Sequence, residues 1–211
     1  MEAKMTLESL QPAAERRWAR SDKVLHRLSR ANPIPAEPPL AGADGFAALV
    51  QSITHQQVSL AAGQTIHGRV VRLLGGKVTP RRVLNRSPEE FRAAGLSRGK
   101  SAYVLDLADK TLRGDVGFAR FPAMPDEAIV EELTAVKGIG TWTSKMFLLF
   151  HLHRPDVWCP EDLGLRIAVA NAYKVPEARA AKVMEERRAA WSPYNSVAAR
   201  VLWQSRRSDK P

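Results

Sequence analysis

Apolar positions recur along this chain at helical spacing. Val58, Ala62, Ile66 and Val70 repeat every four residues, and Leu105, Ala108 and Leu112 follow a three-then-four step. Ile129, Leu133 and Val136 do the same, as do Trp142, Met146 and Leu149. No stretch alternates apolar and polar residues over the length of a strand, so the pattern predicts an all-α fold of roughly ten short helices. The punctuation between them is local. Asn32-Pro33-Ile34-Pro35 with Pro38-Pro39 reads as a linker after one helix near Ala14 to Arg30, and Gly75-Gly76 closes a helix. Ser87-Pro88-Glu89-Glu90 opens one with a cap and an acidic first turn, and Pro125-Asp126-Glu127 opens another. The last third predicts helices near 161–173, 177–190 and 194–206. The organisation expected is one all-α unit, 1–211. It comprises an N-terminal helix and Pro-rich linker (1–43), a central helical part (44–155) and C-terminal helices (156–211).

Composition then narrows the partner. The 211 residues are 45% hydrophobic and 26% charged, an ordinary globular balance. Lys and Arg number 32 against 22 Asp and Glu, a formal charge of +10, which points to a polyanion. Residues 69–120 hold twelve Lys/Arg against five Asp/Glu, a surplus that fits either a solvated helical surface or a polyanion-binding face. Apolar runs such as Met146 to Phe150 are far too short to cross a bilayer, and no signal-peptide pattern opens the chain. The expectation is no membrane and no secretion, with a cytoplasmic, nucleoid-associated or nuclear location. Cys159 is the single cysteine. It can form neither an internal disulfide nor an iron–sulfur site. His151 and His153, two apart at a helix end, do not face one ion.

Three places carry more than packing. In Thr134-Ala135-Val136-Lys137-Gly138-Ile139-Gly140-Thr141-Trp142-Thr143 a helix runs into Gly-Ile-Gly and a second helix starts at once. Glycines allow a positive φ and a tight turn, leaving the first amides of the second helix open to a phosphate. The alternative is an ordinary helix–helix turn, and Lys137 favours the phosphate. In Trp158-Cys159-Pro160-Glu161-Asp162, acids fall at a helix start. They are either caps or a carboxylate kept ionised beside a developing cation. Trp142, Trp158, Trp191, Tyr194 and Trp203 form an aromatic set, either core or the wall for an electron-poor planar ligand.

Taken together these segments resemble the helix–hairpin–helix DNA glycosylases, in the 3-methyladenine DNA glycosylase II branch. The resemblance runs from about Asp44 to Trp203. Ile53-Thr54-His55-Gln56-Gln57-Val58-Ser59 is similar to the family's Gln-Gln segment, and Gly95-Leu96-Ser97-Arg98-Gly99-Lys100 to its Gly-Leu-x-x-x-Lys turn. Residues 133–145 look like the hairpin, Asp162 falls at the catalytic Asp, and Trp191-Ser192-Pro193-Tyr194 with Trp203 matches the C-terminal Trp-x-Pro segment.

The resemblance implies two helical subdomains with a DNA and base cleft between them and no N-terminal β domain. It implies a monomeric, monofunctional enzyme that flips alkylated bases out of double-stranded DNA and hydrolyses the N-glycosidic bond. Asp162 is then catalytic, and Trp142, Trp158, Trp203 and Tyr194 form the base pocket. Gln56, Gln57, Lys100, Lys137, Gly138, Ile139, Gly140, Thr141 and Thr143 touch DNA. No cofactor is required, although the carbonyls of Thr134, Val136 and Gly138 correspond to a structural Na+ or K+ site in the family. The chain departs from the pattern in Lys137, where the family has Pro, and in Gln57, where it has an apolar wedge. Gly164 leaves room beside the carboxylate. Two alternatives stand: a non-catalytic helix–hairpin–helix DNA-binding module, and a glycosylase for other damaged or mismatched bases. Strand-nicking members carry a Lys where this chain has Trp142.

Overall fold

The computed structural model describes residues 6–35 and 45–208. Among them lie twelve α-helices and one 3₁₀ turn, with no strand. Two compact units divide the chain: Pro39–Phe147, and Met1–Pro38 together with Leu148–Pro211. The described part of the first segment, 6–35, groups with the C-terminal helices.

The interposed unit holds α3 (Gly45–His55), α4 (Leu60–Leu73), α5 (Pro80–Leu84), α6 (Pro88–Ala93) and α7 (Arg98–Arg113). The 3₁₀ turn Phe121–Ala123, α8 (Asp126–Thr134) and the start of α9 (Thr141–Phe150) complete it. The predicted stops and starts hold. Ser87 accepts from Glu90 N while Glu90 reaches back to Ser87 N, a full capping box. Gly75 and Gly76 adopt φ of 67° and 81° beyond the end of α4. Burial follows helical spacing on α3 (Phe46, Leu49, Val50, Ile53) and α8 (Ile129, Leu133). On α7 Ala108 is buried as expected, but Leu105 is only half-buried. Ser101, Val104, Leu107 and Ala108 are buried while Leu112 is exposed. Val58 precedes α4 and is also exposed.

In the other unit, one expected N-terminal helix is two: α1 (Leu7–Ser21) and α2 (Lys23–Ala31). Asp22 breaks them. Its backbone is extended, with φ −154°, and its carboxylate caps α2 by accepting from Val24 N and Leu25 N, each at 3.1 Å. The same buried carboxylate accepts from Tyr173 Oη at 2.5 Å and Trp191 Nε1 at 3.0 Å. Tyr173 lies on α10 (Leu163–Tyr173) and Trp191 on α11 (Glu177–Trp191). Burial and the Asp22 charge push the Tyr173 hydroxyl well above its ordinary range. Arg17 donates to the last carbonyls of α11, at Ala189 and Ala190. Asp156 opens α12 (Asn195–Ser208) by accepting from Asn195 N at 3.1 Å, and it also takes the Ser192 hydroxyl at 2.7 Å. The break after α2 is observed at Asn32, while Pro38-Pro39 of the expected linker lies outside the described residues. No helix among the described residues is long and apolar enough to cross a membrane.

Candidate functional site

The hairpin joins α8 to α9 through Ala135–Gly140. Only one of its glycines needs to be glycine for the backbone. Gly138 has φ +77°, while Gly140 is not in the left-handed region. Sterics separate them further, since a Cβ on Gly138 would stand 2.1 Å from Tyr103 Cδ2 and one on Gly140 would meet nothing within 4 Å. Gly140 instead serves α9, its carbonyl accepting from Ser144 N at 3.0 Å and Ser144 Oγ at 3.1 Å. The α9 N-terminus thus begins on two exposed residues, Gly140 and Thr141, and a helix start of this kind can receive a phosphate.

The expected DNA-contacting residues differ in exposure. Ile139 and Thr143 are buried, so their side chains belong to the packing under the turn and only backbone remains to face a ligand. Lys137 is exposed as expected, with its Nζ 3.8 Å from Asp106 Oδ1. Its backbone N–H donates to Asp106 Oδ2 at 2.9 Å. Burial pushes the Asp106 carboxyl upward, but the bonds from Lys137 N and Lys110, with both lysine charges, outweigh it. The net effect holds Asp106 below the ordinary carboxylate range. Lys100, expected at the DNA, is committed to the fold by its head group. Its ammonium donates to Thr54 O at 2.9 Å and Gln56 O at 2.6 Å, capping the C-terminal end of α3. Partial burial holds it below the usual lysine range. Much of the surplus basic charge in 69–120 is similarly committed. Arg82 caps Leu74 O and Gly75 O, Arg86 pairs with Glu90, Arg113 with Asp109 and Asp115, and Arg120 with Glu132.

Gln56 and Gln57 face the hairpin from the α3–α4 loop. Gln56 Nε2 donates to Gly138 O at 3.0 Å. Gln57 is exposed and left-handed at φ 55°. Together with Ser52, His55, Lys100, Tyr103 and Trp142 they line a cleft of about 620 Å³ within the interposed unit. Trp142 is 45% exposed, so the helical spacing with Met146 does not make it core. His55 packs 6.1 Å from the His67 ring. Burial first, and the His55 charge second, hold His67 below the ordinary imidazole range.

In the other unit Asp162 is the N-cap of α10. Its Oδ1 accepts from Leu165 N at 2.5 Å and from Trp203 Nε1 at 3.0 Å, and the residue is 8% exposed. Gly164 permits this closeness rather than opening space. A Cβ there would stand 3.2 Å from Asp162 Oδ1 and 3.5 Å from Trp203 Nε1. Trp203 stacks on Phe150 with centroids 5.8 Å apart and planes at 16°, and Arg200 lies 5.0 Å over the Phe150 ring. Trp158 sits elsewhere, beside Trp191 at 6.3 Å and beneath Arg188 at 5.2 Å, in the aromatic group that Asp22 anchors. Trp191 is core, and Tyr194 is half-buried at the start of α12. Phe150, Tyr103 and Asp106 escaped sequence reasoning. Phe150 ends an apolar run with nothing to distinguish it, and Asp106 lies 31 residues from the amide it holds. His151 and His153 join no group of three or more metal-binding side chains among the described residues.

The arrangement offers two chemistries: open helix-end backbone with a Lys, suited to a phosphate chain, and a fixed carboxylate beside a stacked indole. Residues 50–193 match the HhH-GPD superfamily base excision DNA repair protein family. A putative DNA-3-methyladenine glycosylase, YfjP of Bacillus subtilis, is 29% identical over 164 residues, covering 74% of this chain and 57% of its own length. The chain thus spans somewhat more than half of that relative. A DNA-3-methyladenine glycosidase structure from Bacillus halodurans superposes with a TM-score of 0.80 at 30% identity, covering 95% of this chain and 91% of that one. Schizosaccharomyces pombe Mag1, a 3-methyladenine DNA glycosylase in complex with abasic DNA, gives 0.82 at 25%, covering 92% and 97%. A hairpin with one obligatory glycine, followed by an aspartate that caps the next helix, therefore places this chain in the HhH-GPD superfamily of base excision DNA repair proteins.

Proposed function

We propose that this chain is a monofunctional DNA N-glycosylase that removes alkylated bases from double-stranded DNA as a monomer. The observation that carries the reading is Asp162, held at a helix N-terminus with Oδ1 fixed by Leu165 N and Trp203 Nε1. A base within a duplex presents no face to a pocket, so it must be extruded, at a cost of a few kcal/mol. Stacking on an indole, the exposed Trp142 or the half-buried Trp203, offsets about 1–3 kcal/mol per base. An N-alkylated purine is cationic, so it is drawn to an indole face and its glycosidic bond is already weakened. Such a leaving group needs little acid assistance. As the bond lengthens the sugar becomes oxocarbenium-like, and one ionised carboxylate stabilises it while water adds.

The chemistry needs no metal. An alkali ion at the hairpin would be structural, and the donor set suits it, since backbone carbonyls are hard oxygen ligands. Gly138 O and Val136 O already accept from Gln56 Nε2 and Ile139 N, which leaves each a second lone pair. Trp142, where the strand-nicking members carry a Lys, supports hydrolysis without lyase chemistry.

The test is a set of duplexes, each with one lesion (7-methylguanine, ethenoadenine, hypoxanthine, 1-methyladenine), scored for base release with and without later alkali. Release from alkylated duplexes with breaks only after alkali is expected. Asp162→Asn should keep duplex affinity and lose about a hundred- to a thousand-fold in excision. Breaks without alkali would overturn the monofunctional assignment. Tight duplex binding with no release from any lesion would favour the non-catalytic module.

A further inference from the structure

One face of α7 meets three separate parts of the interposed unit. Lys100, Tyr103 and Asp106 are spaced three apart, and side chains at that spacing share a helix face. Lys100 Nζ holds the carbonyls of Thr54 and Gln56. Tyr103 packs its ring against Gly138, and Asp106 takes the Lys137 amide. Gln56 then closes the circuit, because its backbone is held by Lys100 while its side chain donates to Gly138 O at 3.0 Å.

We propose that Lys100 is a positioning residue that locks the Gln56–Gln57 loop to the Gly138 turn, so that the two move as one rigid surface. The bland reading of Lys100 is a cap on α3 and nothing more. Two observations go beyond it. Gln56 is the residue through which the capped helix end reaches the hairpin, and Gln57, directly after it, is a non-glycine residue held at φ 55°. A left-handed glutamine persists only where its neighbours over-determine it, and the Lys100–Gln56–Gly138 chain supplies that constraint. The lock fixes how far the exposed Gln57 stands from the open amides of α9. For an enzyme that anchors phosphates with one element and opens the base stack with another, that spacing decides whether binding energy reaches the extrusion step. This consequence rests on the glycosylase reading; the coupling itself does not.

Hydrogen–deuterium exchange on the intact chain tests the coupling. Lys100→Met keeps the volume of the stem and removes the donors. Exchange should accelerate on the order of tenfold both in the 55–59 segment and in the 136–140 turn. Gln56→Leu, which leaves the cap in place, should accelerate the turn alone, and adding it to Lys100→Met should change the turn little further. Should Lys100→Met fold poorly, Gln56→Leu still decides, since an unchanged turn there removes the link. Acceleration confined to 55–59 in Lys100→Met would reduce Lys100 to a cap and overturn the proposal.

Single-turnover excision supplies the second readout, with 7-methylguanine opposite cytosine and opposite an abasic site. Lys100→Met should lose roughly tenfold on the paired lesion and less than about twofold on the unpaired one. Equal losses in both contexts would also overturn the coupling role. Absence of release by the wild-type chain would overturn the glycosylase reading, and the exchange result would still settle the lock.

Discussion

Gly138→Ala and Gly140→Ala should behave as different mutations although the residues are two apart. At Gly138 an alanine inherits φ +77°, a left-handed conformation that costs an L-residue about 1–2 kcal/mol. Its Cβ would also lie 2.1 Å from Tyr103 Cδ2 and 2.4 Å from Cε2 and Cγ. Tyr103 cannot slide away along a flexible tail, because the face of the ring is what the backbone meets. Forced repacking of this kind adds about 1–3 kcal/mol, so Gly138→Ala should lose roughly 2–5 kcal/mol in total, a large share of a typical domain's margin. At Gly140 neither charge applies, since nothing lies within 4 Å of the added carbon. That variant should stay within about 0.5 kcal/mol of the parent, with some gain from a stiffer unfolded chain. Urea denaturation gives the two stabilities, and duplex binding against salt gives the function. Gly138→Ala should weaken binding to all duplexes alike, because phosphate contacts carry no lesion information. Combining it with Tyr103→Ala should recover part of the steric share. Equal stabilities for the two glycine variants would show that the turn does not depend on its contact with Tyr103.

Asp22→Ala should cost about 3 kcal/mol or more, because it removes the α2 cap and strands the Tyr173 hydroxyl and Trp191 indole N–H without their acceptor; a loss under 1 kcal/mol in denaturant midpoint would contradict the network. Asp162→Asn should leave stability within about 0.5 kcal/mol, since Asn caps as well as Asp, while Asp162→Ala should lose about 1 kcal/mol; thermal melts separate the two. Trp203→Leu should slow excision of cationic 7-methylguanine more than of neutral hypoxanthine, by a few-fold to about thirtyfold; equal losses would place the ring in the packing alone. Asp106, whose folded pKa is depressed, stabilises above the ordinary carboxylate pKa of about 4 and loses that contribution as pH falls through its lower folded value. Asp106→Asn should therefore be less stable at pH 7 and converge with the parent in strong acid; a gap that persisted to the acid end would exclude ionisation as its source.

What the sequence makes legible is local. The Ser87 capping box, the Gly75-Gly76 stop and the start at Asp126 are written in adjacent residues and appear where the pattern puts them. Asp162 is legible for the same reason, as an acid just before an apolar helical run. Gly138 and Gly140 look equivalent in sequence because nothing nearby announces Tyr103, 35 positions upstream of Gly138. Lys100 stands out in the sequence as the end of the Gly-Leu-x-x-x-Lys turn, but its partners do not, because only the fold brings it to carbonyls 46 and 44 residues away. Asp22 carries no periodic mark at all. It partners Tyr173 and Trp191 at separations of 151 and 169 residues, which no spacing rule spans. Side chains that stitch distant segments leave no trace in periodicity, and here they are the ones that shape the surfaces around the candidate site.

The Asp22 network also has a bearing on how the chain is made. Its acceptor emerges from the ribosome with α2, but its donors, Tyr173 and Trp191, belong to the last three helices. At a synthesis rate of about 5–20 residues per second, the amphipathic α1–α2 pair must wait on the order of ten seconds for its partners. The interposed Pro39–Phe147 unit is complete well before then and has its own core to close. Through that interval Trp18 and Leu25, fully buried in the finished protein, remain without the helices that cover them. The nascent chain is therefore expected to be at its most chaperone-dependent after its middle has folded and before its end has appeared. Stalling synthesis between residues 150 and 190 should capture it with the first two helices bound to a holdase.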